Sequence, residues 1–221
     1  LYQQQSPQKA LDFISQLSPA QQRALGATLN SLRSDALRAE ADALAQQQRW
    51  PAAVAKYRLA QRNAPDDVWL NYRLADALRQ SGQPQQADQL MAAMARQRAQ
   101  DNAQVYAYAM YLSASERPQQ ALSQLHSRPV PQWDQGMRDL AARLEQDKIF
   151  ARASQLRDAG NEAGAIALLQ QQPFSARRDN TLAEWALMRG DARQALTGYQ
   201  QVLARQPNDG DAALGRIEAL L

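Results

Sequence analysis

The sequence predicts an all-α solenoid in which antiparallel helix pairs stack along one axis. Ala53, Ala87 and Ala121 are equally spaced, and their period of about 34 residues is typical of repeated helix–turn–helix units. Small residues recur at fixed points of the period, where a larger side chain would push two crossing helices apart. Alanine, leucine, glutamine and arginine dominate the composition and favour helices, whereas valine and isoleucine, which favour strands, are scarce.

A common pattern of residues surrounds each of these three alanines. The copy over residues 68–101 is the most complete and carries Leu74, Ala75, Leu78, Gly82 and Ala87. The pattern resembles that of the tetratricopeptide repeat (TPR) family, which implies a right-handed superhelix of antiparallel helix pairs. This copy departs from the family at Asn71, where an aromatic residue is usual, and at Ala99, where a closing proline is usual.

The N-terminal part predicts one short helix and one long helix. Ser6-Pro7 suits the start of a helix through Leu17, because serine accepts hydrogen bonds from free amides and proline fits a first turn. Ser18-Pro19 repeats that start signal, and apolar residues at helical spacing continue as far as Leu44. This second helix is much longer than an ordinary repeat helix, and we expect a kink near Arg33-Ser34-Asp35.

The long-helix arrangement returns in the second half of the chain. Shifting the sequence so that Ala53 falls on Ala165 predicts a second long helix over residues 133–159. The step from Ala121 to Ala165 exceeds the regular period by about ten residues. We therefore expect an extra helical segment before the repeat that contains Ala165 and, by the same alignment, before the repeat that contains Ala53. Two interpretations stay open: the segments only add a turn, or they are unpaired helices that bend the superhelix.

The last third of the chain continues the pattern with a shorter spacing. Gly160 and Gly190 mark the tight turns of two copies that follow each other at less than the regular period, so the helix that carries Ala165 should stop before Pro173. Both ends interrupt a repeat, and we expect an excerpt of a longer array. The predicted organisation is a partial repeat over 1–17, an inserted helix over 18–33, repeats over 34–67, 68–101 and 102–128, a second inserted helix over 129–145, a short repeat over 146–175, a repeat over 176–209 and the start of another over 210–221.

Composition excludes several classes of function. The chain has 221 residues, of which 25 are basic and 22 acidic, for a formal net charge of +3, and its arginines are scattered. A scattered distribution does not form the basic face that nucleic-acid binding needs. The chain has no cysteine, which excludes disulfides, thiolate metal sites and cysteine nucleophiles. No apolar run approaches the ~20 residues of a membrane-spanning helix, and no signal peptide is visible.

Few residues suggest catalysis. His126 is the only histidine, and its place between a helix and Pro129 favours an exposed turn over a metal site or catalytic triad. Asp67 and Asp209 lie at turns, where their side chains should cap the next helix. A lytic transglycosylase, the enzyme alternative, needs its carboxylate in a lysozyme-like domain, whereas Glu116 lies in a turn within a repeat. We therefore expect no enzyme activity, no cofactor and no metal.

Three stretches of the second half resemble a more specific family, the bacterial cellulose synthase C subunit. They are QLRDAGNEAGAIALLQQQP over residues 155–173, TLAEWA over 181–186 and RGD over 189–191. The resemblance implies a periplasmic TPR region that acts as a scaffold for other proteins of the cellulose synthase complex. In that family an outer-membrane β-barrel that exports cellulose follows the TPR region. The TPR segments of other exopolysaccharide exporters share this composition and remain the alternative.

The inner face of the predicted superhelix is the candidate binding surface. In TPR arrays the first helix of each repeat lines this face. Counting equivalent positions within the repeats places Arg177, Asn180 and Glu184 on it. Aromatic rings fit the apolar faces of sugars and charged groups fit sugar hydroxyls, so cellulose or peptidoglycan is one ligand class, and a peptide is another. Alternatively, Trp69 and Tyr72 only cover a neighbouring repeat. The candidate residues are Trp69, Tyr72, Asp76, Arg79, Tyr106, Met110, Phe150 and Arg157.

Overall fold

The computed structural model describes residues 7–221, and all regular structure in this range is helical. The predicted all-α class is therefore confirmed for the described residues, while the predicted cap at Ser6 lies outside them. A short 3-10 helix, Val130–Gln132, separates α7 from α8. The α-helices are α1 (Pro7–Ser15), α2 (Pro19–Gln46), α3 (Trp50–Asn63), α4 (Val68–Gln80), α5 (Pro84–Gln97), α6 (Asn102–Ala114), α7 (Pro118–Leu125), α8 (Gln135–Asp158), α9 (Glu162–Gln170), α10 (Ala176–Met188), α11 (Ala192–Arg205) and α12 (Gly210–Leu220).

The chain divides into two compact units, Leu1–Ala141 and Ala142–Leu221. In the first unit α2 packs against α3, α4 against α5 and α6 against α7, and α4 also contacts α6. In the second unit α10 packs against α11 and α11 against α12, and α10 also contacts α12. Within each unit, helices thus pair with their sequence neighbours, and the first helices of successive pairs touch. This is the packing that a stacked helical repeat requires.

The predicted alanine ladder is buried within the helix packing of both units. Every alanine of the ladder is 0% exposed: Ala53, Ala87, Ala121, Ala165 and Ala195. On the first helices of the pairs, a second set of alanines is equally buried: Ala41, Ala75, Ala109 and Ala153. Small side chains on both partners bring the two helix backbones close together. Larger side chains above and below each crossing, such as Met91 and Leu125, fill the remaining core.

Side-chain caps start the helices where the sequence predicts them. The Ser18 hydroxyl accepts from the Gln21 amide at 3.3 Å, and the Gln21 side chain accepts from the Ser18 amide at 2.9 Å, which completes a capping box. The Asp67 carboxylate accepts from the amides of the second and third residues of α4, at 3.1 and 3.0 Å. Asp209 caps α12 in the same way, through the amide of Ala212 at 2.8 Å.

The two long helices differ from the prediction in detail. α2 is interrupted at Gly26, whose φ of 46° and ψ of −117° are not helical. The predicted kink at Arg33-Ser34-Asp35 is wrong, because these residues continue the helix and Ser34 is buried. Glycine lacks the Cβ that would clash in such a conformation, so the break falls there. The second long helix begins at Gln135 and not at Trp133, whose buried side chain instead packs ahead of α8.

The tight turns within the helix pairs all use left-handed backbone. Gly82, Gly160 and Gly190 have φ values of 80°, 84° and 85°. The equivalent positions of two other pairs carry Gln48, with φ of 57°, and Glu116, with φ of 62°. A residue with a Cβ pays a steric penalty in this region of backbone space. The turn geometry therefore repeats even where glycine does not.

Candidate functional site

Three of the predicted residues form one aromatic cluster in the first unit. The ring centroids of Trp69 and Tyr72 are 5.6 Å apart, and those of Trp69 and Tyr106 are 6.0 Å apart, both edge to face. Trp69 and Tyr72 come from α4 and Tyr106 from α6, so the frame correctly placed them on adjacent first helices. Trp69 remains 41% exposed, which leaves part of its ring open to solvent. The cluster is thus partly packed and partly an accessible aromatic surface.

Gly136, at the start of α8, limits how much of this cluster is open. A Cβ atom added there would lie 3.6 Å from Cε2 of Tyr106, an ordinary contact distance. The first turn of α8 therefore covers one edge of the Tyr106 ring. Trp69 is the member of the cluster with the most accessible surface, since Tyr72 and Tyr106 are half-buried.

The predicted polar residues of the first unit lie one and two turns beyond Tyr72 along α4. Nη2 of Arg79 forms an ion pair with Oδ1 of Asp76 at 3.1 Å, and Nη1 of Arg79 donates to the carbonyl of Ala114 at 2.6 Å. Burial, and then the negative charge of Asp76, raises the pKa of Tyr72. Met110 is half-buried on α6. Arg79 thus links α4 to the end of α6, and its charge is already balanced by Asp76.

The two predicted residues of the second unit are covered by neighbouring side chains. Phe150 is only 8% exposed, and the guanidinium of Arg177 lies 4.0 Å above its ring centroid. The guanidinium of Arg157 lies 5.3 Å from the ring centroid of Trp185 and donates to the sulfur of Met188 at 2.9 Å. The expectation that Phe150 presents a free ring is therefore corrected: it belongs to the core, and an arginine closes it off.

A groove in the second unit is the largest cavity among those described, at about 520 Å³. Its α10 side includes, beside Thr181, the three residues that the repeat frame placed on the inner face, Arg177, Asn180 and Glu184. Its α12 side carries Asp211, Leu214 and Glu218, which sequence reasoning missed. The repeat period indicates these three positions, because each lies one regular period after its counterpart on α10, Arg177, Asn180 or Glu184.

A second polar cluster, not predicted from the sequence, joins α5 to the α6–α7 pair. The Asp88 carboxylate accepts from the Tyr111 hydroxyl at 2.6 Å and from two nitrogens of Arg117 at 2.7 and 3.1 Å. The hydrogen bonds from Arg117 hold the pKa of Asp88 below its usual range, against the opposing effect of burial. Three donors occupy most of the acceptor positions of this carboxylate, which favours a structural role.

The described residues contain no group of three or more histidine, cysteine, aspartate or glutamate side chains arranged to hold a metal ion. Within the same part of the chain, no helix combines the length and apolar character that crossing a membrane requires. His126 is exposed directly after α7, as expected, and its ring centroid lies 4.9 Å from that of Trp133.

The chain is similar to known proteins of cellulose synthesis. It is 44% identical, over 218 residues that make up 99% of its length, to the cellulose synthase operon protein C of Salmonella typhimurium strain LT2. The chain is also 44% identical, over 99% of its length, to the cellulose synthase operon protein C of Escherichia coli K12. The predicted resemblance to the cellulose synthase C subunit is thus confirmed. The chain spans only about a fifth of these relatives, 18% and 19% of their lengths.

Two solved structures of TPR proteins also resemble the chain. One, from Parabacteroides merdae ATCC 43184, has a TM-score of 0.44 and 14% identity, and the match covers 85% of this chain and 72% of that protein. The other, from Thermus thermophilus, has a TM-score of 0.37 and 20% identity, and the match covers 85% of this chain and 98% of that protein. No protein-family model matches the chain.

Proposed function

We propose that this chain is part of a periplasmic, non-enzymatic scaffold in a bacterial cellulose synthesis and export complex, where it binds other proteins of the complex. The observation that carries the proposal is the 44% identity to cellulose synthase operon protein C over 218 residues. The helical-repeat fold supports it, since stacked helix pairs offer long surfaces to partners. Of the described side chains that the sequence singled out, none combines a nucleophile with a base in the way that a catalytic site needs.

The partner surface proposed for the first unit is the aromatic cluster with its flanking ion pair. Trp69 offers an accessible ring, and aromatic side chains are enriched among the residues that dominate protein interfaces. Asp76 and Arg79 add one charge of each sign within two turns of the same helix. An apolar centre with a polar edge is the usual anatomy of a protein interface.

Binding to the other proteins of the same operon tests this proposal. Each is purified and immobilised, and the chain is passed over it in a surface plasmon resonance measurement. We expect at least one to bind, and we expect Trp69→Ala with Tyr106→Ala to weaken that binding about tenfold or more, as the loss of an interface anchor does. Phe13→Ala is the matched control, because Phe13 is also an exposed aromatic residue, at 57%. Absence of binding to every operon protein would contradict the scaffold function.

A second candidate function is a conduit for glycan, and one observation favours it. Trp69 is edge to face with both tyrosines and remains open, which provides a ring surface for the apolar face of a sugar. Titration with cellohexaose, followed by the indole N–H signal of Trp69 in nuclear magnetic resonance, separates the two functions. A shift that saturates and that disappears in Tyr72→Ala with Tyr106→Ala would support glycan binding. An unmoved indole signal would favour protein partners alone.

A further inference from the structure

We propose that the groove between α10 and α12 binds a basic segment of a partner protein in which apolar residues alternate with lysine or arginine. The inference deepens the proposed scaffold function and rests on it for the biological partner. It stands on the groove's shape, charge and hydrogen-bonding groups, all of which belong to the second unit.

The groove is strongly acidic. Four carboxylates line it, those of Glu184, Asp209, Asp211 and Glu218, against the single guanidinium of Arg177. Arg177 is already occupied, because its Nη1 pairs with Oδ1 of Asp147 at 2.5 Å. Within the described residues, none of the four groove carboxylates forms an ion pair. The uncompensated charge therefore attracts cationic groups and repels acidic partners.

The carboxylates are spread along the groove, which suits an extended chain. Asp211 and Glu218 lie two turns apart on one face of α12, or about 10 Å along the helix axis. Two basic side chains at alternate positions of an extended peptide are separated by about 7 Å, and the flexible stem of a lysine can span the remaining ~3 Å. A single small cation satisfies one end of the groove at most.

The groove also offers apolar surface and a free acceptor. Leu214 lies between the two α12 carboxylates in sequence, and its side chain is 58% exposed. Asn180 donates from Nδ2 to Oδ1 of Asp209 at 3.0 Å, while its own Oδ1 is buried and accepts no hydrogen bond within the described structure. A buried acceptor without a donor is costly, so a bound N–H group from a backbone or a basic side chain would stabilise this site.

Tyr199 forms the floor of the groove. A Cβ atom added at Gly215 would lie 2.2 Å from Cζ of Tyr199, so the tyrosine ring lies directly on the backbone of α12. Burial, followed by the negative charges of Glu184 and Glu218, raises the pKa of Tyr199. Glu184 on α10 and Glu218 on α12 thus both lie close enough to the Tyr199 hydroxyl to affect its pKa. An aromatic floor between carboxylates fits a lysine or arginine side chain, which buries its methylene stem and keeps its charge at the rim.

Neutral glucan is a poorer occupant of this groove. Its hydroxyls can donate hydrogen bonds to the four carboxylates but leave their negative charges uncompensated, whereas cations gain attraction from each. Binding of cellohexaose to the groove, with no binding of a basic peptide, would overturn the proposal in favour of sugar.

Fluorescence anisotropy of a labelled peptide with the sequence Lys-Leu-Lys-Leu-Lys, titrated with the whole chain, tests the proposal. The groove variant combines Glu184→Gln with Glu218→Gln, and the matched control combines Glu145→Gln with Asp158→Asn. The control residues are exposed, lie in the same unit outside the groove and change the net charge equally. We expect the groove variant to bind about fivefold more weakly and the control to remain within about twofold of the unchanged protein.

A second comparison tests the apolar part. Leu214→Ser should weaken binding of Lys-Leu-Lys-Leu-Lys and leave binding of Lys-Ser-Lys-Ser-Lys unchanged. Equal weakening by the groove and control variants would show unspecific charge attraction and overturn the proposal, as would failure of the unchanged chain to bind the peptide. Circular dichroism establishes that each variant keeps its helices. Because the probes are simple peptides, failure of the groove to bind them would leave any measured binding to operon proteins standing. Absence of binding to operon proteins would likewise leave the peptide result standing.

Discussion

The hydroxyl of Tyr111 donates to Oδ1 of Asp88 at 2.6 Å, and this bond joins α6 to α5. Arg117, at the turn between α6 and α7, donates to both oxygens of the same carboxylate. A bidentate arginine and a phenol together satisfy most of the acceptor positions of one carboxylate. Asp88 therefore ties the second helix of one pair to both the first helix and the turn of the next.

Asp88→Asn should lower stability near neutral pH and leave it unchanged in acid. The pKa of Asp88 is depressed in the folded chain, so its contribution is present above the ordinary carboxyl pKa and is lost as the pH falls through the folded value. The side chain is 43% exposed, so solvent screening limits the effect to about 1 kcal/mol or less. Urea denaturation at neutral pH and in acid, below the depressed pKa of the folded chain, measures it.

Asp66→Asn is the control for this comparison, since Asp66 is exposed and its carboxylate has no partner role in the Asp88 cluster. A stability difference between the Asp88 variant and the unchanged chain that persists undiminished in acid would contradict the electrostatic explanation. It would point to packing of the side chain as the source.

The Asp88 cluster also shows where prediction from sequence stops. The repeat period predicted the buried alanines, because each lies at a helix crossing set by the repeat itself. Asp88 and Arg117 lie in different helix pairs, and neither belongs to the repeated pattern. Their contact depends on rotamers and on how two pairs stack, which a periodic pattern does not encode.

Ala87→Leu should destabilise the first unit by about 1–3 kcal/mol, because extra methylene groups overpack a helix crossing. Ala87 is 0% exposed, so the added atoms have no open space to enter. Both neighbouring helix pairs should lose protection in amide hydrogen exchange, since stability of a repeat array depends on its interfaces. Gln89→Leu, at an exposed position of the same helix, is the control and should stay within about 0.5 kcal/mol. An unchanged denaturation midpoint for Ala87→Leu would mean that the crossing is misassigned.

Glu116→Gly should stabilise the chain modestly, by up to about 1 kcal/mol, because it removes a Cβ from a disfavoured backbone conformation. Glu116 occupies the left-handed region with φ of 62°. Glycine relieves this penalty, although it also gains freedom in the unfolded chain, which reduces the net effect. Gly82→Ala at the equivalent turn, with φ of 80°, should have the opposite sign. Thermal unfolding of both variants checks the pair, and a destabilised Glu116→Gly would show that the glutamate side chain has a role of its own.

The candidate site shows the same difference between features that follow from the periodicity of one helix and features that depend on packing between helices. The repeat frame predicted Trp69, Tyr72 and Tyr106 on one surface, and their rings form one cluster, because residues at equivalent positions of neighbouring helices share a face. It did not give the cover over Phe150, since the arginine that closes that ring lies on another helix, α10. The frame predicted the start of a repeat over 210–221, but its inner-face positions Asp211 and Glu218 were not among the predicted residues. Extending a period to its last copy would have found both.

Trp133→Phe should cost about 1–3 kcal/mol through the loss of two hydrogen bonds, because it removes the indole donor from the carbonyl of Arg128 and one of the two donors from the carbonyl of Leu125. The indole Nε1 of Trp133 donates to the carbonyls of Leu125 at 3.1 Å and Arg128 at 2.9 Å. Leu125 ends α7, whose last carbonyls have no partner within the helix. Phenylalanine keeps most of the buried ring but donates nothing to these carbonyls.

Trp69→Phe provides the matched control, because the ring of Trp69 is 41% exposed and solvent can replace any hydrogen bond of its indole. We expect that variant to stay within about 0.5 kcal/mol of the unchanged chain in urea denaturation. α7 has only eight residues, too few for a stable isolated helix, so it depends on contacts at its ends. Hydrogen exchange should therefore speed up first in α7 when Trp133 is replaced. Equal protection of α7 in the two variants would show that ring packing alone holds this helix in place.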